Sequence, residues 1–386
     1  MPAFDPEAPL PGAPDPWAGS EMPAPRDGPP YAMTEMIAAE PALAERLLTR
    51  LAGNGTMARL AEVIRDCAAH GRPMVTTGCG TSEHAAMLAA ELLTDAMDGA
   101  TVWAMQALEA ARRPPTRGVL LAVSHEGGTW ATNEALQAAR AAGSTTALIT
   151  VTARSPGATL ADLVLPTEEQ DQSWCHTVGY LAPLVVGAAL AGELRGTRPD
   201  PVTVRALLDV ADHEPGAEAT AAALAHCSRL LIVGSGIDYP AARELALKIE
   251  EGARIPASAL QLETIRHGHL AAADARTGLV LILTDAESWG EPVVERSRAV
   301  LRSAAALGMP AAALLAADLG DDVPLPITPA GRLSVPLAGG LPRPVSAALA
   351  TAIPLQLLAE RLARGVGKNP DTIGRDDPRQ AAAADA

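Results

Sequence analysis

The sequence predicts an α/β protein built as two tandem doubly wound parallel-sheet domains. Three observations predict it. Short apolar runs that end in glycine or a small polar residue alternate with helix-length segments, the pattern of parallel strands covered on both faces. The order of elements restarts near residue 229 after a helical connector. The chain has 386 residues, enough for two cores rather than one.

Residues 1–30 are rich in proline, alanine and acidic groups and are expected to form a disordered tail that buries little. Order should begin near Tyr31. "MTEMIAAEPALAERLLTRL" has helical apolar spacing, with Thr34 as N-cap and Pro41 splitting the helix. A second helix follows over 57–69. "PMVTTG" reads as a strand and 82–97 as a helix. "TVWAM", "GVLLAVS", "TTALITVT" and "DLVLPT" read as further strands, with a helix over 129–142 and a long one over 175–194. Residues 201–225 form the helical connector. The second pass runs "RLLIVGSG", a helix over 239–253, "TGLVLILTD", a helix over 291–307, then strands "PAAALLAAD" and "RLSVPLA" and a closing helix over 345–364. The expected domains are 31–200 and 201–364, followed by a tail over 365–386 that contributes to the site.

Composition excludes several classes. The formal net charge is −15, with one Phe, three Tyr and five Trp. An acidic chain without basic clusters or aromatic platforms is not expected to bind nucleic acid. Cys67, Cys79, Cys175 and Cys227 show no C-x-x-C pair and no zinc-finger spacing, so neither a metal site nor a disulfide scaffold is expected. No basic leader precedes an apolar stretch, and no uninterrupted apolar run of spanning length is read. A cytoplasmic protein without membrane partners is the expectation, and no cofactor is implied.

One stretch raises a chemical question. In "MVTTGCGTSEHAAMLAAELL" a strand stops at glycine and passes directly into a helix, leaving backbone N–H groups open to an anion. Ligands of doubly wound sheets bind outside the carboxyl ends of the strands. Four segments fall at such ends or beside them: "CGTSEH" (79–84), "SHEGGTWATNEAL" (124–136), "LALKIEEGARIPASALQLETIRHGHLAAAD" (245–274) and "IPLQLLAERLARGVGKNPDTIGRDDPR" (353–379).

On these segments the chain resembles the double-SIS (sugar isomerase) domain family, in the flavodoxin-like arrangement of the isomerase half of glucosamine-6-phosphate synthase, without the glutaminase domain. The resemblance covers roughly residues 31–380. It rests on Cys79-Gly80-Thr81-Ser82, Ser124 through Thr129, Ala246-Leu247-Lys248-Ile249-Glu250-Glu251, Arg266-His267-Gly268 and Asp377-Pro378-Arg379, five matches in family order.

The resemblance implies roles. Cys79, Gly80, Thr81, Ser82, Ser124, His125, Glu126 and Thr129 match the stretch that holds a sugar phosphate, and Ser173 matches a sugar contact. Small hydroxyls beside free N–H groups suit that task, although Ser82 and Thr129 also suit ordinary N-caps. Glu251 matches the general base that moves a proton between C1 and C2 through an enediol. The competing reading is a solvated Glu paired with Lys248. Lys248 is either a catalytic-site contact or half of a surface ion pair. His267 matches the ring-opening histidine that a neighbouring subunit supplies, which implies a homodimer.

Three departures stand out. Glu126 replaces a phosphate-binding serine, and a carboxylate beside phosphate is unfavourable unless protonated, turned away or paired with an amine. "SWCHTV" replaces the family's V-A-S-T-K. No lysine follows Asp377-Pro378-Arg379, which leaves Lys368 as the only lysine of the tail. The expected function is a phosphosugar aldose–ketose isomerase, with an amino-sugar phosphate as substrate. A sugar-phosphate deaminase or deglycase, and a non-catalytic sugar-phosphate binding protein, are the alternatives.

Overall fold

The structure, a computed structural model, describes residues 4–21, 23–97, 99–210, 213–287 and 290–385. It divides into two compact units, one formed by 1–21, 39–171 and 178–206, the other by 22–38, 172–177 and 207–386. Among the described residues each unit holds one five-stranded sheet, and every strand pairing is parallel.

The opening helix α1 (Ala32–Leu51) runs through Pro41 without a break. Sequence reading splits it there. The proline removes one helical hydrogen bond, but α1 is fastened at its start. The Asp371 carboxylate accepts the N–H groups of Ala32 and Met33, each at 2.8 Å, and so caps the helix from a distant segment. Thr34 lies inside the helix, and its hydroxyl donates to Glu360 Oε1 at 2.8 Å.

In the first unit the elements run α2 (Gly55–Ala69), β1 (Met74–Gly78), α3 (Thr81–Ala96), β2 (Trp103–Gln106), α4 (Ala107–Arg112), β3 (Val119–Val123), α5 (Trp130–Ala141), β4 (Thr145–Thr150), β5 (Leu163–Pro166) and α6 (Val178–Arg195). The strand order β2-β1-β3-β4-β5 reverses direction between β1 and β3, the switch point of a doubly wound sheet. Val75, Leu120, Ala122 and Leu148 form one core face with Ala135, Leu136 and Ala139 of α5. Small residues let helices approach closely: a Cβ on Gly187 of α6 would lie 3.5 Å from that of Ala89 on α3.

After α7 (Pro201–Leu207), the second unit runs α8 (Glu214–Leu224), β6 (Arg229–Val233), α9 (Asp238–Ala253), β7 (Ala257–Leu260), β8 (Thr277–Leu283), α10 (Glu291–Ala306), β9 (Ala311–Ala316), β10 (Gly331–Val335), α11 (Arg343–Ala350), α12 (Ala352–Gly365) and α13 (Pro378–Asp385). Its sheet, β10-β9-β8-β6-β7, has the order of the first sheet when read from the β7 edge. β7 and α4 are absent from the sequence reading. The closing helix is divided at Thr351, because Pro354 has no N–H for the Ala350 carbonyl.

Two helical stretches, Val178–Arg195 and Arg343–Gly365, are long and apolar enough to cross a membrane, contrary to the sequence reading. Both are largely buried within the protein, and that burial accounts for their composition.

Residues 4–21 carry no helix or strand. They are nonetheless tied to the first unit. Leu10 is buried, and Trp17 Nε1 donates to the Glu126 carbonyl at 3.0 Å.

Candidate functional site

At the switch point of the first unit, β1 ends at Gly78 and the chain turns through Cys79 and Gly80 into α3. A Cβ on Gly78 would lie 2.5 Å from the Ser82 carbonyl oxygen, so only glycine lets the strand approach the helix start this closely. Gly80 takes the cap position with φ 58°, and Thr81 and Ser82 open the helix. Ser82 is therefore not the N-cap. Among the described residues its hydroxyl makes no hydrogen bond. Cys79 Sγ lies 3.9 Å from Thr132 Oγ1 and 3.7 Å from Gln106 Nε2, and burial raises its thiol above the ordinary range. It is a protonated wall residue, not a thiolate.

From β3 the chain passes through Ser124, His125, Glu126, Gly127 and Gly128 to Thr129 and α5. Ser124 is buried, with its Oγ 3.4 Å from Thr129 Oγ1. Thr129 holds the cap position of α5, but its hydroxyl bonds to no N–H of that helix. The N–H groups of Gly128, Thr129 and Trp130 make no hydrogen bond to the described residues, so the helix start offers three donors and the positive end of its dipole. Gly127, at φ 71°, permits the turn, since a Cβ there would lie 2.1 Å from Ser155 Oγ.

Two predicted members of this loop point elsewhere. The His125 ring is buried, and its Nε2 accepts the Asp171 N–H at 3.0 Å. Through that bond the ring braces the loop. Glu126 Oε2 accepts the Ser20 N–H at 3.2 Å. Of the three escapes open to a carboxylate in this place, it is turned away.

The second unit repeats the turn with a different outcome. A Cβ on Gly234 would lie 2.4 Å from the Asp238 carbonyl oxygen, the same close approach seen between Gly78 and Ser82. Asp238 thus occupies the position of Ser82. Its buried carboxylate accepts the Thr284 N–H at 2.9 Å and the Thr284 hydroxyl, which bridges the ends of β6 and β8. Burial pushes its pKa up to about 6 against the pull of the Thr284 hydrogen bonds. This switch point is filled by the protein's own side chain.

Further along α9 lies an ionic cluster. Lys248 is fully buried, with Nζ 2.5 Å from Glu251 Oε2 and 3.5 Å from Glu244 Oε1. The surface-pair reading of Glu251 and Lys248 is overturned: the lysine is 0% exposed and the Glu251 side chain 23%. Burial lowers the lysine's affinity for its proton, but the Glu251 and Glu244 carboxylates together hold it above its ordinary value. Burial raises Glu251 above the ordinary carboxylate range despite the opposing Lys248 charge. Glu250 points away and accepts the Ala257 N–H at 3.1 Å. Sequence reading misses Glu244, although its place four residues before Lys248 puts it on the same helix face.

The segment that departs from the family motif joins this cluster. Cys175 Sγ donates to the Lys248 carbonyl at 3.9 Å. His176 is held neutral, its pKa lowered to about 4 by burial and then by the Lys248 charge. Ser173 is buried. The Arg375 guanidinium stacks 4.0 Å from the Trp174 ring, and Trp174 N–H donates to the Asp371 carbonyl at 3.2 Å, so residues of the C-terminal segment pack on this wall. Lys368 is exposed. His267 is also exposed, with Nε2 3.2 Å from Glu263 Oε1.

Comparison with known proteins shows what the chain is similar to. Residues 223–306 match the SIS domain. Over 222 residues the chain is 30% identical to the glutamine–fructose-6-phosphate aminotransferase (isomerizing) of Zymomonas mobilis, an alignment that covers 53% of this chain and 36% of that relative. The chain thus spans well under half the length of that relative. Two solved structures share the architecture. The C-terminal domain of glucosamine-fructose-6-phosphate aminotransferase from Francisella tularensis has a TM-score of 0.74 at 20% identity, covering 90% of this chain and 100% of that one. Tagatose-6-phosphate ketose/aldose isomerase from Escherichia coli has a TM-score of 0.73 at 19% identity, covering 91% and 97%. The matched residues include Asp238, the Lys248 cluster and His267.

Proposed function

We propose that this chain is a sugar-phosphate aldose–ketose isomerase with Glu251 as general base. The observation that carries the reading is the half-buried Glu251 carboxylate, raised in pKa and fixed by a lysine that is itself fully buried. A carboxylate poised nearer neutrality takes and returns carbon-bound protons better than a solvated one. Glu251 removes the proton from C2 of the open-chain aldose while O1 gains a proton, giving the enediol; the Glu251 carboxyl, partly exchanged with solvent, then protonates C1 as O2 gives up its proton, and the ketose results. Lys248 and Glu244 hold the base in place. Relatives of this chain are named for hexose phosphates, which supports a substrate of that class.

Phosphate recognition is assigned to Ser82, Ser124 and Thr129 with the open N–H groups at the start of α5, in the surroundings of Cys79, Gly80 and Thr81. Ser173 is assigned a sugar contact. His267, exposed in the single chain, is assigned to ring opening in the site of a second subunit, so the working protein is a cytoplasmic homodimer.

The test is proton exchange in deuterated water with fructose 6-phosphate, glucosamine 6-phosphate and related sugar phosphates, followed by NMR at C1 and C2. The expected result is deuterium at C2 and a new aldose or ketose, with Glu251→Gln abolishing exchange while ligand affinity stays within about threefold. Released ammonia would replace the isomerase with a deaminase. Saturable binding without exchange would replace it with a binding protein.

A further inference from the structure

We infer that residues 10–20 form a strap across the carboxyl end of the first sheet, and that its hold on Glu126 keeps that carboxylate out of the anion loop. The strap is thereby a positioning element for ligand binding. The inference rests on the phosphate reading of the Ser124–Thr129 loop given above.

The strap is fastened at both ends to the segment after β5. Leu10 N–H donates to Glu169 Oε2 at 2.9 Å, and Glu169 is itself held by Arg46 at 2.7 and 2.9 Å. The Pro11 carbonyl accepts the Gln170 N–H at 2.8 Å. At the far end, Gln170 Nε2 donates to Ser20 Oγ at 2.5 Å. A proline-rich segment loses less conformational entropy on docking, so few bonds suffice to order it.

Between these fastenings the strap crosses the anion loop. The Trp17 indole donates to the Glu126 carbonyl at 3.0 Å, and its ring covers Gly128, where a Cβ would stand 3.2 Å from two ring carbons. Ser20 N–H then takes Glu126 Oε2 at 3.2 Å. That bond matters because of where Glu126 sits. Two residues on, the open N–H groups of Gly128, Thr129 and Trp130 begin, and they would receive a carboxylate as readily as a phosphate. A released Glu126 would compete for those donors from within the chain and repel an incoming dianion. The strap removes the competitor by giving it a donor of its own.

This reasoning predicts the opposite of what a plain cover would do. Displacing a cover exposes the site and tightens binding. Freeing Glu126 weakens it. The test uses the full chain with Ser20→Pro, which deletes the N–H that Glu126 accepts together with the hydroxyl that Gln170 holds, beside Ser20→Ala, which loses the hydroxyl alone and should bind more tightly than Ser20→Pro, and reads affinity for fructose 6-phosphate and for inorganic phosphate by calorimetry. Loss of a charge-assisted hydrogen bond and release of the carboxylate should weaken both by roughly tenfold. Adding Glu126→Gln to Ser20→Pro should restore most of the loss. Trp17→Ala, which leaves the Ser20 N–H in place but loosens the strap, should fall between. Melting temperature within about 2 °C of wild type confirms that the fold is intact. Unchanged or tighter binding by Ser20→Pro overturns the inference, as does a double variant that stays as weak as the single one. A wild-type chain that binds neither ligand overturns the phosphate reading and this inference with it.

Discussion

Lys248→Met removes the buried cation that lies between Glu251 and Glu244. The lysine Nζ stands 2.5 Å from one carboxylate and 3.5 Å from the other. At an effective dielectric of about 20, each attraction amounts to about 5–7 kcal/mol, set against the desolvation of three charges. Methionine fills a similar volume without the charge. Two carboxylates then remain, one of them fully buried. Removing one partner of a buried pair costs about 3–5 kcal/mol, and the variant should lose that much at pH 8. Protonation relieves the cost. Both carboxyls would have folded-state pKa values above the unfolded value of about 4.3. The folded state then binds more protons than the unfolded one, and stability falls as pH rises through that window. Urea unfolding followed by circular dichroism should therefore show a smaller deficit at pH 5 than at pH 8. Lys248→Met/Glu244→Gln should recover more than half of it. A loss below about 1 kcal/mol with no dependence on pH would refute the reasoning, because it would mean that the cluster is solvated.

Two further predictions concern the switch points. Asp238 is buried with a pKa near 6, above its unfolded value of about 3.9. Its contribution to stability should therefore fall as pH rises from 4 through 6, by about 2–3 kcal/mol, and Asp238→Asn should flatten that slope in urea titrations. Gly78→Ala places a Cβ against the Ser82 carbonyl. It should cost about 3 kcal/mol and abolish sugar-phosphate binding, measured by thermal melting and calorimetry.

Much of this architecture can be read from the chain because buried parallel strands are short continuous apolar runs. "VLLAV" and "LVLIL" have few other places to go. β7 escapes notice because "ASAL" has neither β-branched residues nor full burial, and it pairs only as an edge strand beside β6. Pro41 misleads for a different reason. Local chemistry argues for a break, but Asp371, 339 residues beyond Ala32, fastens the helix start. The Lys248 cluster is half legible: the spacing places its members on one helix face, but spacing does not reveal that the face is enclosed. Glu126 looks anomalous in sequence because its partner is the backbone N–H of Ser20. A backbone donor leaves no trace in residue type, and composition marks residues 10–20 only as proline-rich.

The filled switch point of the second unit bears on stoichiometry. A tandem repeat with two equivalent cradles would titrate with two equivalents of ligand per chain. Here the Asp238 carboxyl, held by Thr284, occupies one cradle, so a calorimetric isotherm for a sugar phosphate should saturate at one equivalent per chain. Duplication has in that case not doubled capacity. It has released one copy from ligand duty, and its central helix is free to carry the Lys248 cluster instead.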